Sequence, residues 1–169
     1  QASMDKNIRA ISLTGAGSVF CAGGDLKSIF LDDTPSPMDI RDYLCSGIRP
    51  VIKAILSCDK PVVAVLNGPV AGAGIGIALS TDIVIAGANA SLIPAFTKLG
   101  GMADSGTLYL MVQNIGELRT KEIMMRGRTL EADEAQALGL YSRVFADNEV
   151  ENEAKKIKDV ALEQSNLYP

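Results

Sequence analysis

The sequence predicts an α/β fold, and three observations carry that prediction. Two short apolar runs, Pro61-Val62-Val63-Ala64-Val65-Leu66 and Ile83-Val84-Ile85-Ala86 after Asp82, have the length and β-branched content of strands buried on both faces. Helical periodicity separates and follows them with no hairpin signal between, so parallel strands with right-handed crossovers are expected. The 16 glycines in 169 residues exceed the roughly 7% of average usage, and they cluster at the ends of strands.

Ile8 to Leu13 alternates β-branched and small residues and ends in Thr14-Gly15-Ala16-Gly17, a strand followed by a loop. A second turn, Ala22-Gly23-Gly24-Asp25, precedes the apolar-periodic stretch 26–30. A polar, proline-punctuated loop covers 32–37. One longer helix is expected from about Met38 to Leu56, where Ile40, Tyr43, Leu44, Ile48, Val51, Ile52 and Ile55 fall near helical spacing. Asn67-Gly68-Pro69 stops the first apolar strand, and Ala71 to Thr81 restarts as a helix of small residues. From Gly116 the pattern is helical: Glu117 to Arg126, Glu131 to Leu138 and Glu149 to Gln164.

Composition narrows the function. With 16 basic against 20 acidic side chains the net charge is −4, unlike a surface for nucleic acid or anionic lipid. The longest apolar run, around Val62 to Leu79, is broken by Asn67, Pro69 and glycines, so no membrane partner is expected. The chain has no histidine, which excludes Ser-His-Asp and Cys-His triads and HExxH zinc sites from it; no metal site is expected. Cys21, Cys45 and Cys58 lack CxxC spacing and read as reduced thiols of the cytoplasm or an organellar matrix. A Gln-Ala-Ser start and a stop at Pro169, just after a helical segment, read as cuts in a longer protein.

The glycine loops carry the chemistry. Gly72-Ala73-Gly74-Ile75-Gly76 opens a helix after a buried strand, where unpaired N–H groups and close backbone approach suit an anion or oxyanion. Its third glycine is misplaced for a dinucleotide fingerprint, and no Gly-Lys-Ser/Thr follows. Alone, the loop equally fits plain helix–sheet packing. Phe20-Cys21-Ala22-Gly23-Gly24-Asp25-Leu26 follows a strand in the same way, so two such loops can aim two N–H groups at one oxygen. One preorganised donor of this kind is worth about 3–4 kcal/mol of barrier.

Three segments carry a family resemblance. Residues 8–17 with Phe20-Cys21-Ala22-Gly23-Gly24-Asp25-Leu26, then Lys60 to Gly68 with Ala71-Gly72-Ala73-Gly74, then Thr129 to Ala135 through Gly139 to Val144, resemble the crotonase superfamily of enoyl-CoA hydratases and isomerases. The resemblance implies a crotonase-like ββα spiral with a helical C-terminal extension, incomplete at both ends. Residues 1–169 would form one acyl-CoA-binding core, with 1–115 the spiral and 116–169 the start of the helical region. It also implies an acyl-CoA partner, no cofactor beyond the CoA of the substrate, and a homotrimer or hexamer for the full-length protein.

By that resemblance the N–H groups of Gly24 and Ala73 hold the thioester oxygen. Ala22, Asp25, Leu26, Lys27 and Gly72 line the bend for CoA; Lys27 alone reads equally well as a solvated lysine. Hydration in this family uses two glutamates, and their positions are taken here by Gly76 and Phe96, neither of which moves a proton. Phe96 to Gly100 with Ala103-Asp104-Ser105-Gly106-Thr107 resembles the segment where isomerase branches carry one catalytic acid. Asp104 is therefore the candidate acid/base for a double-bond shift; read locally, it is instead an N-cap for the helix after it. Enoyl-CoA hydratase and a non-catalytic acyl-CoA binder are the alternatives, and a dehalogenase would need a histidine the chain lacks. Asp82 reads as structural, Glu117, Glu122, Glu131 and Glu134 as solvated, and Tyr109 and Met111 as pocket wall or core.

Overall fold

A computed structural model describes residues 2–25 and 36–165. Segments 26–30 and 32–35, with Leu26 and Lys27, lie outside the described residues. Strands β1 (Ile11–Thr14), β2 (Val62–Leu66), β4 (Ile83–Gly87) and β7 (Arg143–Phe145) form a parallel sheet in the order β1-β2-β4-β7. A second sheet pairs β3 (Val70–Ala71) in parallel with β5 (Ser91–Ile93), which pairs antiparallel with β6 (Leu130–Glu131). The helices are α1 (Pro37–Ser46), α2 (Ile48–Leu56), α3 (Ala73–Leu79), α4 (Thr107–Ile115), α5 (Glu117–Arg126), α6 (Ala132–Leu138) and α7 (Val150–Ser165).

Every residue of β2 is buried, as the unbroken apolar run requires, and its period of two divides them between two cores. Ala64 and Leu66 face the larger core with Ile75, Met111, Ile123 and Tyr141. Val63 and Val65 face the smaller one, where Ile85 packs on Val150 and Ala154 of α7. Asp82 fastens β2 to β4: its Oδ2 accepts from the Val62 N–H at 2.7 Å, and its own N–H donates to the Val62 carbonyl at 2.9 Å. The structural reading of Asp82 holds.

The helix expected over 38–56 is two helices, broken at Gly47 (φ −93°, ψ −86°). Pro50 is the reason. It has no N–H to donate, and its ring would collide with the carbonyl of Ser46 in a continuous helix, so α2 restarts with Pro50 inside its first turn. At the front of α1 a reciprocal cap forms. The Asp39 N–H donates to Ser36 Oγ at 3.2 Å, and the Ser36 N–H donates to Asp39 Oδ2 at 3.0 Å, with Pro37 at the first helical position. Hydrogen bonds from the Ser36 side chain and then from its N–H hold the Asp39 carboxyl below its ordinary range. Among the described residues no helix is long and apolar enough to cross a membrane.

Candidate active site

The first glycine loop is laid across the end of β2 by Asn67. Its Oδ1 accepts from the Gly15 N–H at 3.0 Å and from Thr14 Oγ1 at 3.3 Å, and its Nδ2 donates to the Gly17 carbonyl at 2.8 Å. The approach is too close for side chains: a Cβ on Gly68 would lie 2.0 Å from the Ser18 carbonyl oxygen. Past that clamp the Phe20 N–H donates to Pro69 O at 3.1 Å, Cys21 bridges Val70 in parallel, and the Ala71 N–H donates to Cys21 O at 2.8 Å. Residues 20–24 therefore run beside residues 69–73.

Two left-handed glycines shape the meeting point. Gly23 (φ +92°) would place a Cβ 3.1 Å from Ala71 O and 3.6 Å from the Ala73 nitrogen, while Gly72 (φ +53°) would place one 3.7 Å from Gly23 Cα. Gly74 seats the helix start against the loop, since its Cβ would lie 2.7 Å from Cys21 Cβ. The Gly72 N–H donates to Ile93 O at 3.2 Å, and the Ile75 N–H to Gly72 O at 3.1 Å. Gly72 thus supplies conformation rather than a donor. Among the described residues, neither Gly24 nor Ala73 finds a hydrogen-bond partner for its N–H. Ala22, Gly24 and Asp25 are exposed.

The candidate acid lies on a different segment, the turn before α4. Asp104 is half-buried, and its Oδ1 accepts from Ser105 Oγ at 2.8 Å. Ser105 (φ +51°) and Gly106 (φ +71°) are consecutive left-handed residues, a conformation that costs a non-glycine residue about 1–2 kcal/mol. They put Gly106, not Asp104, in the capping position of α4, which has no side-chain cap bond. The N-cap expectation for Asp104 is corrected: its main-chain carbonyl takes the Thr107 N–H at 2.8 Å, and its carboxylate is directed elsewhere. Met102 beside it is 80% exposed and Tyr109 65%, so Tyr109 is not core, whereas Met111 is fully buried in it.

Gly76, where a hydratase would carry its first glutamate, is closed to any side chain. A Cβ there would lie 2.2 Å from the Ser105 carbonyl oxygen and 3.1 Å from both Ile52 Cδ1 and Thr107 Oγ1. Phe96, at the second position, packs partly buried against the main core. Beyond Ser105 opens a groove of about 420 Å³, lined by Cys45, Ile48, Arg49, Ile52, Lys53 and Leu56 across from Ser105 and Gly106. Gly76 is one turn of α3 beyond Ala73, about 4.5 Å along the axis. Groove and glycine loops are thus joined through α3.

Other titratable groups stand apart. Glu117 pairs with Lys121, Glu122 with Arg126 and Arg128, and Glu134 with Arg128, all near the surface. The Arg128 hydrogen bond holds the Glu134 carboxyl below its ordinary range. Burial, then the charge of Glu131, pushes the Tyr141 phenol well above its ordinary value, and among the described residues its hydroxyl has no partner. Asn67, Ser105 and the groove face of α2 were not anticipated as parts of this site. Asn67 gave a signal in Asn-Gly-Pro, read only as a strand stop.

The enoyl-CoA hydratase/isomerase family model matches residues 1–168. The chain belongs to the enoyl-CoA hydratase/isomerase family. Within this family it is 34% identical over 157 residues to a 1,2-epoxyphenylacetyl-CoA isomerase of Escherichia coli, covering 93% of this chain and 60% of that protein. It is 35% identical over 144 residues to a probable enoyl-CoA hydratase of Rhodobacter capsulatus, covering 85% and 54%. A 4-chlorobenzoyl coenzyme A dehalogenase of Arthrobacter is 31% identical over 160 residues, covering 90% and 55%. The crystal structure of an enoyl-CoA hydratase from Bacillus anthracis superposes with a TM-score of 0.88 at 32% identity, over 96% of this chain and 62% of that one. The crotonase fold is thereby shown, and the chain spans a little over half the length of these relatives.

Proposed function

We propose that the protein shifts a double bond in an acyl-CoA thioester, converting a 3-enoyl to a 2-enoyl thioester or performing a related ring-type isomerisation. One observation carries the reading: a single carboxylate, Asp104, adjoins the groove, while the Ser105 carbonyl fills the space a second acid at Gly76 would need. The N–H groups of Gly24 and Ala73 hold the thioester oxygen. That makes the C2 proton acidic by stabilising the enolate that its loss creates. Asp104 takes the C2 proton, leaving a dienolate whose charge is shared between the thioester oxygen and C4, and the protonated Asp104 returns the proton to C4 as the carbonyl re-forms. The C3–C4 double bond is replaced by C2–C3, with no net change in atoms or electrons. General acid–base help of this kind contributes about 10²–10⁴-fold.

The reading includes CoA as part of the substrate and no metal or redox group. For the full-length protein it includes a homotrimer or hexamer, which would cover Leu118 and Met125, 84% and 79% exposed on α5. The free thiols of Cys21, Cys45 and Cys58 suit a reducing compartment, the cytoplasm or an organellar matrix.

The test is conversion of 3-hexenoyl-CoA by the full-length protein, followed by the rise in conjugated-thioester absorbance. Asp104→Asn should lower kcat by about 10²-fold or more with the fold intact. Equal activity of variant and wild type would assign the proton transfer to another group. Binding of CoA esters without turnover would favour the non-catalytic binder.

A further inference from the structure

Ile48, Arg49, Ile52, Lys53 and Leu56 recur at steps of three and four, so one face of α2 lines the groove, with Cys45 of α1 beside it. That face is chemically divided. Ile48, Ile52 and Leu56 give it an apolar floor, with Ile52 only 7% exposed where it meets Gly76. Arg49 and Lys53, four residues apart, place two positive charges along its side. Like charges at this spacing repel each other along the helix.

Among the described residues no carboxylate pairs with either cation. Among the described residues each cation of the five ion pairs has a carboxylate partner, yet neither Arg49 nor Lys53 is in one; the Arg49 guanidinium reaches only Cys45 Sγ, at 3.9 Å. The chain has more acidic than basic residues, so acids are not scarce. Two neighbouring unmatched cations over an apolar floor suit a chain of methylenes that ends in an anion. The opposite wall is Ser105, whose hydroxyl is bonded to Asp104, so this chain would extend from the reacting carbons.

We infer that the groove selects acyl thioesters whose far end is a carboxylate, with Arg49 and Lys53 as the specificity-determining residues. The inference rests on the acyl-thioester reading above. The guanidinium offers a planar fork to the carboxylate and the ammonium a second point charge, while Ile48, Ile52 and Leu56 cover the methylenes. The phosphates of CoA are the other anion that the two cations could meet, and the test separates these sources.

The full-length protein is assayed with two eight-carbon 3-enoyl-CoA substrates, one ending in methyl and one in carboxylate. Wild type should favour the carboxylate in kcat/KM by about tenfold or more. The double variant Arg49→Gln, Lys53→Gln should bring that ratio near one by losing activity on the carboxylate substrate alone. Pantetheine thioesters of the same acids, which lack the nucleotide, should give the same pattern. A ratio that the double variant leaves unchanged overturns the inference. So does an equal loss on both CoA substrates that vanishes with the pantetheine thioesters, which would assign the cations to the CoA phosphates. If wild type turns over neither substrate, the isomerase reading fails by itself, and calorimetric binding of the saturated pair still decides the groove. Tighter binding of the carboxylate ester, lost in the double variant, supports the inference; equal binding overturns it.

Discussion

The two sides of the candidate site are built by different means. The side that would hold the thioester oxygen is main chain throughout. It is fixed by the Cys21–Val70 bridge, by three Asn67 hydrogen bonds and by glycines that let loop and helix start touch. The side that would move the proton is one carboxylate on a turn, and that turn depends on two successive left-handed residues. The first arrangement follows from strand register and tolerates little change. The second is set by a few residues between the short helical turn at Thr97–Leu99 and α4. On the proposed reading, a main-chain side that stays the same and an acid side that is exchanged would fit relatives variously named isomerase, hydratase and dehalogenase.

The sharpest way to break this contrast is to force the hydratase pattern onto the oxyanion side. Gly76→Glu puts a Cβ 2.2 Å from the Ser105 carbonyl oxygen and an acid into a buried position. It should cost more than about 3 kcal/mol, read as a large fall in Tm, and gain no hydration activity. A folded, hydrating variant would show that the Ser105 turn yields easily and that the two sides are not distinct. Asn67→Ala should come next, costing about 1–2 kcal/mol by chemical denaturation and lowering kcat/KM with it, because the loop carrying Gly24 loses its clamp. Unchanged kinetics would mean that Cys21 and Val70 alone fix the loop.

Ser105→Gly sharpens the comparison from the other side. Removing the side chain relieves the left-handed strain, so stability should rise by up to about 1 kcal/mol. Activity should nevertheless fall several-fold, since Asp104 loses the Ser105 hydroxyl that bonds its Oδ1. Melting temperature and kcat measured together check this, and a variant that is both more stable and fully active would remove Ser105 from the positioning of Asp104.

Much of the main-chain side is legible in the sequence because it is written in unbroken patterns. The apolar runs of β2 and β4 and the glycines after them have few other uses. Elements of two or three residues such as β3, β5 and β6 carry no periodicity, so the second sheet is not legible in the sequence. The break in the 38–56 helix was available in Pro50 and passed over, because apolar spacing continues through Gly47. For Asp104 the local sequence suggests a cap that the structure gives to Gly106. An aspartate before Ser-Gly-Thr reads as a cap, and only the left-handed pair at Ser105 and Gly106 turns it away.

The central claim is that one acid and not two acts on the bound thioester. It is tested most directly by giving the full-length protein 3-hexenoyl-CoA in ¹⁸O-labelled water and following both isomerisation and label uptake by mass spectrometry. The account predicts rapid conversion to the conjugated 2-enoyl thioester with no ¹⁸O in the product pool. Formation of labelled 3-hydroxyacyl-CoA at a rate comparable to isomerisation would contradict it.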